Sequence, residues 1–167
     1  MIRRPVAVIG LGNLLFQDEG TGLHATSLLE KKYPDLAVDI VHAGTPGLNL
    51  LHQFQERKKV IFIDAGFCET QPGEFRRFTM NEVISRKHPG GYSLHQFDLI
   101  SFLYNAEQMD FLDGLEVSIY CMQVAETALS ETLSEKVASS INRLVDAVYN
   151  EADEYIRQNG RITTPSV

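Results

Sequence analysis

Two carboxylates, Asp18 and Glu19, follow a short apolar run and a pair of glycines, at the place where nucleotide-binding folds hold a phosphate. Residues 10–22 read Gly10-Leu11-Gly12-Asn13-Leu14-Leu15-Phe16-Gln17-Asp18-Glu19-Gly20-Thr21-Gly22, directly after Val6-Ala7-Val8-Ile9. A β-branched run emptying into glycines is a strand entering a turn, and the positive end of the following helix favours an anion there. The dinucleotide fingerprint wants a third glycine where this chain has Leu15, however, and Asp18 and Glu19 repel phosphate. A cation suits this corner better. A further carboxylate, Asp64, closes the run Val60-Ile61-Phe62-Ile63, and an imidazole, His95, lies in Ser93-Leu94-His95-Gln96. Two carboxylates and one imidazole match the ligand set of a first-row divalent metal with positions left open for water or substrate. Oxygen and nitrogen donors of this kind suit nickel or zinc.

Each of these residues also has a structural reading. Asp18 and Glu19 can complement the macrodipole of the helix they precede. Asp64 can cap the next turn by accepting backbone N–H groups, and Ser93 is a plausible N-cap that makes His95 an ordinary first-turn side chain. His24, His42, His52 and His88 are also present, and His88, in Arg86-Lys87-His88-Pro89-Gly90-Gly91, is a rival ligand.

The elements that must bring these residues together follow from the apolar pattern. Strands are expected at Val6 to Ile9, Val38 to Val41, Val60 to Ile63, Glu74 to Thr79 and Leu115 to Cys121, three of them buried on both faces. Helices are expected over about 20–33, 46–57, 93–105 and 132–158. In the last, Leu133, Val137, Ile141, Leu144, Val145, Val148, Ala152 and Ile156 recur at three and four, with charges opposite, which is a core-packing stripe. Leu99, Phe102 and Leu103 are read as helix packing, and Leu48 as sharing an amphipathic face with Leu51.

The β-α-β-α-β order over the first 65 residues implies parallel strands with helical crossovers, and Glu74 to Thr79 reads as an antiparallel edge. The expected fold is an α/β, three-layer α/β/α sandwich with a mostly parallel, twisted sheet of about five strands. Ligands in such folds bind beyond the carboxyl ends of the strands. Glu19, the turn His42-Ala43-Gly44-Thr45-Pro46-Gly47 and Asp64 each follow or end a strand, so all converge on one rim.

The chain has 167 residues, one domain's worth, enough to bury about 70% of the unfolded surface in a single core. One domain is expected over residues 1–159, with 160–167 a flexible tail. With 22 acidic against 15 basic residues the net charge is −7, and no long basic run is present, so nucleic acid is not the expected partner. No apolar run approaches a signal core or the ~20 residues of a membrane span, and a cytoplasmic protein is expected. Cys68 and Cys121 lack Cys-x-x-Cys spacing and read as buried, reduced thiols. There is no Gly-x-Ser-x-Gly elbow, and neither cysteine has a neighbouring histidine. Metal-assisted or carboxylate chemistry is what remains.

With these residues in place, the chain resembles the hydrogenase maturation endopeptidase family, which trims the C-terminal extension from the large subunit of nickel-iron hydrogenases. The resemblance spans roughly residues 6–145. It rests on Gly10-Leu11-Gly12-Asn13-Leu14-Leu15 and Asp18-Glu19-Gly20-Thr21-Gly22, then Gly44-Thr45-Pro46-Gly47, Ile63-Asp64-Ala65 and His95-Gln96, in that order. It implies that Glu19, Asp64 and His95 contact nickel and carry catalysis, and that the nickel arrives with the substrate, the large-subunit precursor. The other function it leaves open is a non-catalytic, nickel-binding hydrogenase assembly factor; an ordinary nucleotide-binding domain is a third reading.

Two departures from the family pattern stand out. His42-Ala43-Gly44-Thr45 replaces an Asp-Gly-Gly-Thr-like turn, which could add a nitrogen ligand or alter substrate choice. Tyr120-Cys121-Met122-Gln123-Val124-Ala125-Glu126 lacks the usual glycine and proline, which implies a turn of another shape. Around the rim, Phe16, Gln17 and Leu48 are candidates for contact with a precursor.

Overall fold

Three strands with almost no polar face form the centre of the molecule: β1 (Val6–Leu11), β3 (Lys59–Gly66) and β5 (Glu116–Gln123) are buried along nearly their whole length. The computed structural model describes residues 3–85 and 94–160; for Ile84 and residues 94–98 it describes the backbone alone. β2 (Asp39–Gly44) and β4 (Phe75–Thr79) complete a five-stranded sheet in the order β2-β1-β3-β5-β4. The first four of these strands run parallel, and β4 pairs antiparallel to β5 at the edge. The half-exposed burial of β2 and β4 fits their edge positions, while the continuous apolar runs fit strands covered on both faces.

Alternation along the strands sends their side chains into two cores. Val6, Val8, Ile61, Ile63, Tyr120 and Met122 pack under α1 (Thr21–Lys32) and α4 (Glu135–Asn159). Ala7, Ile9, Leu11, Val60, Phe62, Ile119 and Cys121 face the other layer, with Phe102 and Leu103 of α3 (Leu94–Gln108) and Val83 of α2 (Met80–Ser85). The three-layer expectation therefore holds.

α4 starts where Ser134 Oγ accepts the Val137 N–H at 3.4 Å, an N-cap worth about 1 kcal/mol. Its stripe buries Val137, Ile141, Leu144, Val145, Val148 and Ala152. Each large aliphatic there contributes roughly 1.5–3 kcal/mol, so Leu144→Ala would cost about 2–5 kcal/mol.

Two expected boundaries differ. Residues 46–57 form only a 3-10 turn, Leu48–Gln53, because Gly47 is extended and Glu56 adopts φ 62°, a left-handed conformation that ends the helical path. Leu50 and Phe54 reach the core, whereas Leu48 is 77% exposed and shares no buried face with Leu51. α2 was not expected from periodicity. It is nucleated by a capping box in which Thr79 N–H donates to Glu82 Oε2 at 2.7 Å and Glu82 N–H to Thr79 Oγ1 at 3.4 Å.

Candidate active site

The strand-to-helix turn after β1 is built by close backbone approach. Gly12 has φ 128°, and a Cβ there would sit 1.8 Å from the Glu19 carbonyl oxygen. Its N–H donates to Gly44 O at 2.9 Å, which ties the end of β1 to the end of β2, and Asn13 N–H donates to Glu19 O at 3.1 Å. Gly22, at the start of α1, is equally constrained: an added Cβ would lie 2.1 Å from Leu11 O and 2.3 Å from Ile63 O. These glycines let the 3-10 turn Gln17–Gly20, and with it the half-buried Glu19, sit down on the carboxyl edge of the sheet.

Asp64 lies on the same edge. It is buried in β3, in register with Cys121 of β5, and its Oδ1 accepts the Ala65 N–H at 2.8 Å. By the alternation of β3 its side chain faces the α3 layer, where it borders an apolar cleft with Phe67, Cys68, Leu99 and Cys121. The 3-10 turn bearing Glu19 and helix α3 both pack on β3. His95 occupies the first turn of α3, one turn before Leu99; its imidazole lies outside the described residues. Among the described residues, no three His, Cys, Asp or Glu side chains are grouped so as to hold a metal. β3 thus carries one proposed ligand and is packed by the elements carrying the other two. His88 and Ser93 lie outside the described residues.

Asp18 has a different role from its neighbour. It is fully buried, and its carboxylate accepts four hydrogen bonds: Oδ2 from Ala125 N–H at 2.9 Å, Glu126 N–H at 2.8 Å and Ser134 Oγ at 2.8 Å, and Oδ1 from Ser134 N–H at 2.8 Å. This is a structural clamp. The macrodipole it complements is that of α4, whose N-cap it holds, not that of α1. Around it, Gln17 N–H donates to Ser130 O at 2.7 Å, and Ser130 N–H to Leu15 O at 2.9 Å. The departure at residues 120–126 therefore falls on the segment that receives Asp18.

His42 is also assigned a different place. On β2 it points to α1, with Nδ1 2.8 Å from Thr26 Oγ1 and Nε2 3.1 Å from Glu30 Oε2. Both ring nitrogens are engaged on the face opposite Asp64, so His42 is not placed to add a metal ligand. The two cysteines are buried, as expected, and adjacent: Cys68 Sγ donates to Cys121 O at 3.2 Å. The hydrogen bond with the Cys121 thiol holds the Cys68 thiol below its usual range, against burial, which raises it.

The fold is a mostly parallel α/β sheet with an acidic turn and a buried aspartate at its carboxyl edge. Residues 23–151 match the hydrogenase maturation protease family, HycI, and the chain belongs to that family. It is 28% identical over 156 residues to a provisionally assigned hydrogenase maturation protease, MJ0253, of Methanocaldococcus jannaschii, covering 90% of this chain and 98% of that one. It is 29% identical over 150 residues to the hydrogenase expression/formation protein HoxM of Cupriavidus necator, covering 89% and 70%. The hydrogenase maturating endopeptidase HybD from E. coli superposes with a TM-score of 0.78 at 25% identity, over 92% of this chain and 94% of that one. Among the described residues, no helix is long and apolar enough to cross a membrane.

Proposed function

We propose that this chain is an endopeptidase that removes the C-terminal extension of a nickel-iron hydrogenase large-subunit precursor after nickel insertion. It would recognise the substrate-bound metal through Glu19, Asp64 and His95. The observation that carries the reading is the seating of both the Glu19 turn and α3 against the strand that holds Asp64, in a chain of the maturation protease family.

In this reading the nickel is part of the substrate, and docking to it sets the scissile bond beside the three side chains. Nickel so held by Glu19, Asp64 and His95 would supply polarisation of the peptide carbonyl or a bound water of lowered pKa. Cleavage then works as a checkpoint, because a precursor without nickel lacks the docking point. Oxygen and nitrogen donors that leave positions open suit a metal whose shell the substrate completes. The absence of a nucleophile elbow and the burial of both cysteines fit water as the attacking group. We place the reaction in the cytoplasm.

The test is the intact mass of nickel-iron hydrogenase large subunits from a strain lacking this gene, and from strains restored with wild type or Glu19→Gln. One subunit is expected to keep its C-terminal tail unless wild type is present. Normal trimming of every large subunit in the deletion strain would sink the proposal, and precursor binding by the wild type without cutting would favour the assembly-factor role.

A further inference from the structure

Eight large apolar side chains are exposed among the described residues, and their distribution is lopsided. Six of them, Leu14, Leu15, Phe16, Leu48, Phe67 and Leu129, lie in the loops that leave the carboxyl ends of β1, β2, β3 and β5. The other two, Met109 and Phe111, lie at the opposite end, between α3 and β5. The rim loops are also stitched together: the Gly12–Gly44 bond joins the first two, and the Leu15–Ser130 and Gln17–Ser130 bonds join the first and last. The apolar side chains are therefore held by a backbone frame around the edge that carries Glu19 and Asp64, and Leu48 and Leu129 are 77% and 78% exposed.

The charge of the same loops is one-sided. Residues 12–20, 45–53, 67–74 and 124–134 contain six Asp and Glu and no Lys or Arg, although the chain has 15 basic residues in all. Asp18 is consumed by the clamp, and Glu74 bonds Thr70 Oγ1 at 2.5 Å within its own loop. Glu126 and Glu131 are exposed beside Leu129, and Glu69, exposed beside Phe67, pairs with Arg76 of β4 at 3.9 Å. Among the described residues, these four loops give an apolar rim with a carboxylate border and no Lys or Arg of their own, which complements a segment that is apolar and positively charged and repels an acidic one.

We propose that the four loops form the docking surface for a cationic, apolar segment of the precursor polypeptide, in addition to any contact with its metal. The proposal rests on the endopeptidase reading for the identity of the partner. Apolar contact supplies the affinity, while the carboxylates select charge and speed encounter, so binding weakens as salt rises.

The experiment measures binding of purified nickel-loaded large-subunit precursor, by titration calorimetry at about 50 and 300 mM salt, and scores cleavage separately. Three double variants with unchanged thermal midpoints are compared with wild type: Leu48→Ser/Leu129→Ser, Glu126→Lys/Glu131→Lys and Met109→Ser/Phe111→Ser. The expected result is an affinity loss of at least about tenfold for the first two, a flattened salt dependence for the second, and no change for the third. Equal affinity across all three, or salt-independent binding by wild type, overturns the docking surface even if cleavage is normal. Wild-type binding with the expected pattern but no cleavage would leave the surface standing and defeat the protease reading instead.

Discussion

Asp18 receives both the backbone N–H and the hydroxyl of Ser134, each at 2.8 Å, so one carboxylate in a turn near the start of the chain holds the N-cap of α4. Both oxygens accept, and Asn at this position must turn its NH2 toward a donor whichever way it is flipped. Asp18→Asn is therefore expected to cost about 2–3 kcal/mol, lowering the melting temperature by roughly 4–12 °C at 2–4 °C per kcal/mol. Calorimetry checks it, and an unchanged melting temperature would mean the clamp is idle.

Glu19 and Asp64 are expected to be lost to catalysis in isosteric form. Glu19→Gln, Asp64→Asn and His95→Ala should each slow precursor cleavage by at least about 100-fold, with His95→Ala leaving stability within about 1 kcal/mol of wild type. His42→Ala, by contrast, removes only contacts to Thr26 and Glu30 and should leave the cleavage rate within about twofold. Rates followed by gel shift separate the two groups. A His42 variant as inactive as His95→Ala would return His42 to the site.

Gly12→Ala tests whether the turn's seating matters apart from its charges. The new methyl would meet the Glu19 carbonyl at 1.8 Å, in a φ that L residues avoid, so the turn must lift from the sheet. Cleavage should fall at least about tenfold through displaced Glu19, with a stability loss of about 1–3 kcal/mol. Full activity in this variant would detach Glu19 from the reaction.

At the opposite end of the sheet, Glu151 is expected to contribute to the acid sensitivity of the fold. Burial pushes its carboxyl up, but hydrogen bonds from Arg77, Tyr120, Ser118 and Lys59 outweigh burial and hold it well below the usual range. Arg77 reaches it at 2.6 and 2.9 Å, Tyr120 at 2.6 Å, Ser118 at 2.7 Å and Lys59 at 2.9 Å. A depressed carboxyl stabilises the fold fully above the unfolded value near pH 4.3, roughly, and that contribution is lost as pH falls toward the folded one. Urea midpoints from pH 7 to 3 should fall for wild type below about pH 5. Glu151→Gln should begin lower and decline less, and parallel decline would exclude Glu151 as the cause.

What could be read from the residues alone were the features with a local cause. Val6-Ala7-Val8-Ile9 and Val60 to Ile63 announce buried parallel strands, and the α4 stripe announces a packed helix. Thr79 and Glu82 spelled a capping box that periodicity overlooked in a six-residue helix. The role of Asp18 was beyond local reading because its donors lie 107–116 residues away, so helix-start chemistry was the nearest explanation in sequence. His42 was similar: a histidine in a rim turn resembles a ligand until β2 is seen to turn it toward α1. Glu19 and Asp64 were legible as rim residues because each ends a recognisable strand-turn unit.

The strand order also has a consequence for synthesis. β1 is already made when β3 emerges and can pair with it, but the other edge of β3 belongs to β5, with Lys59 opposite Glu116, 57 residues later. β4 emerges before β5, and its own native partner is also β5. A nascent chain thus carries Val60 to Ile63 on an open strand edge through most of the interval in which aggregation or mispairing can occur. β5 pairs with both β3 and β4 and sets Cys121 beside Asp64, so the carboxyl edge around Asp64 is complete only when the last strand is in place.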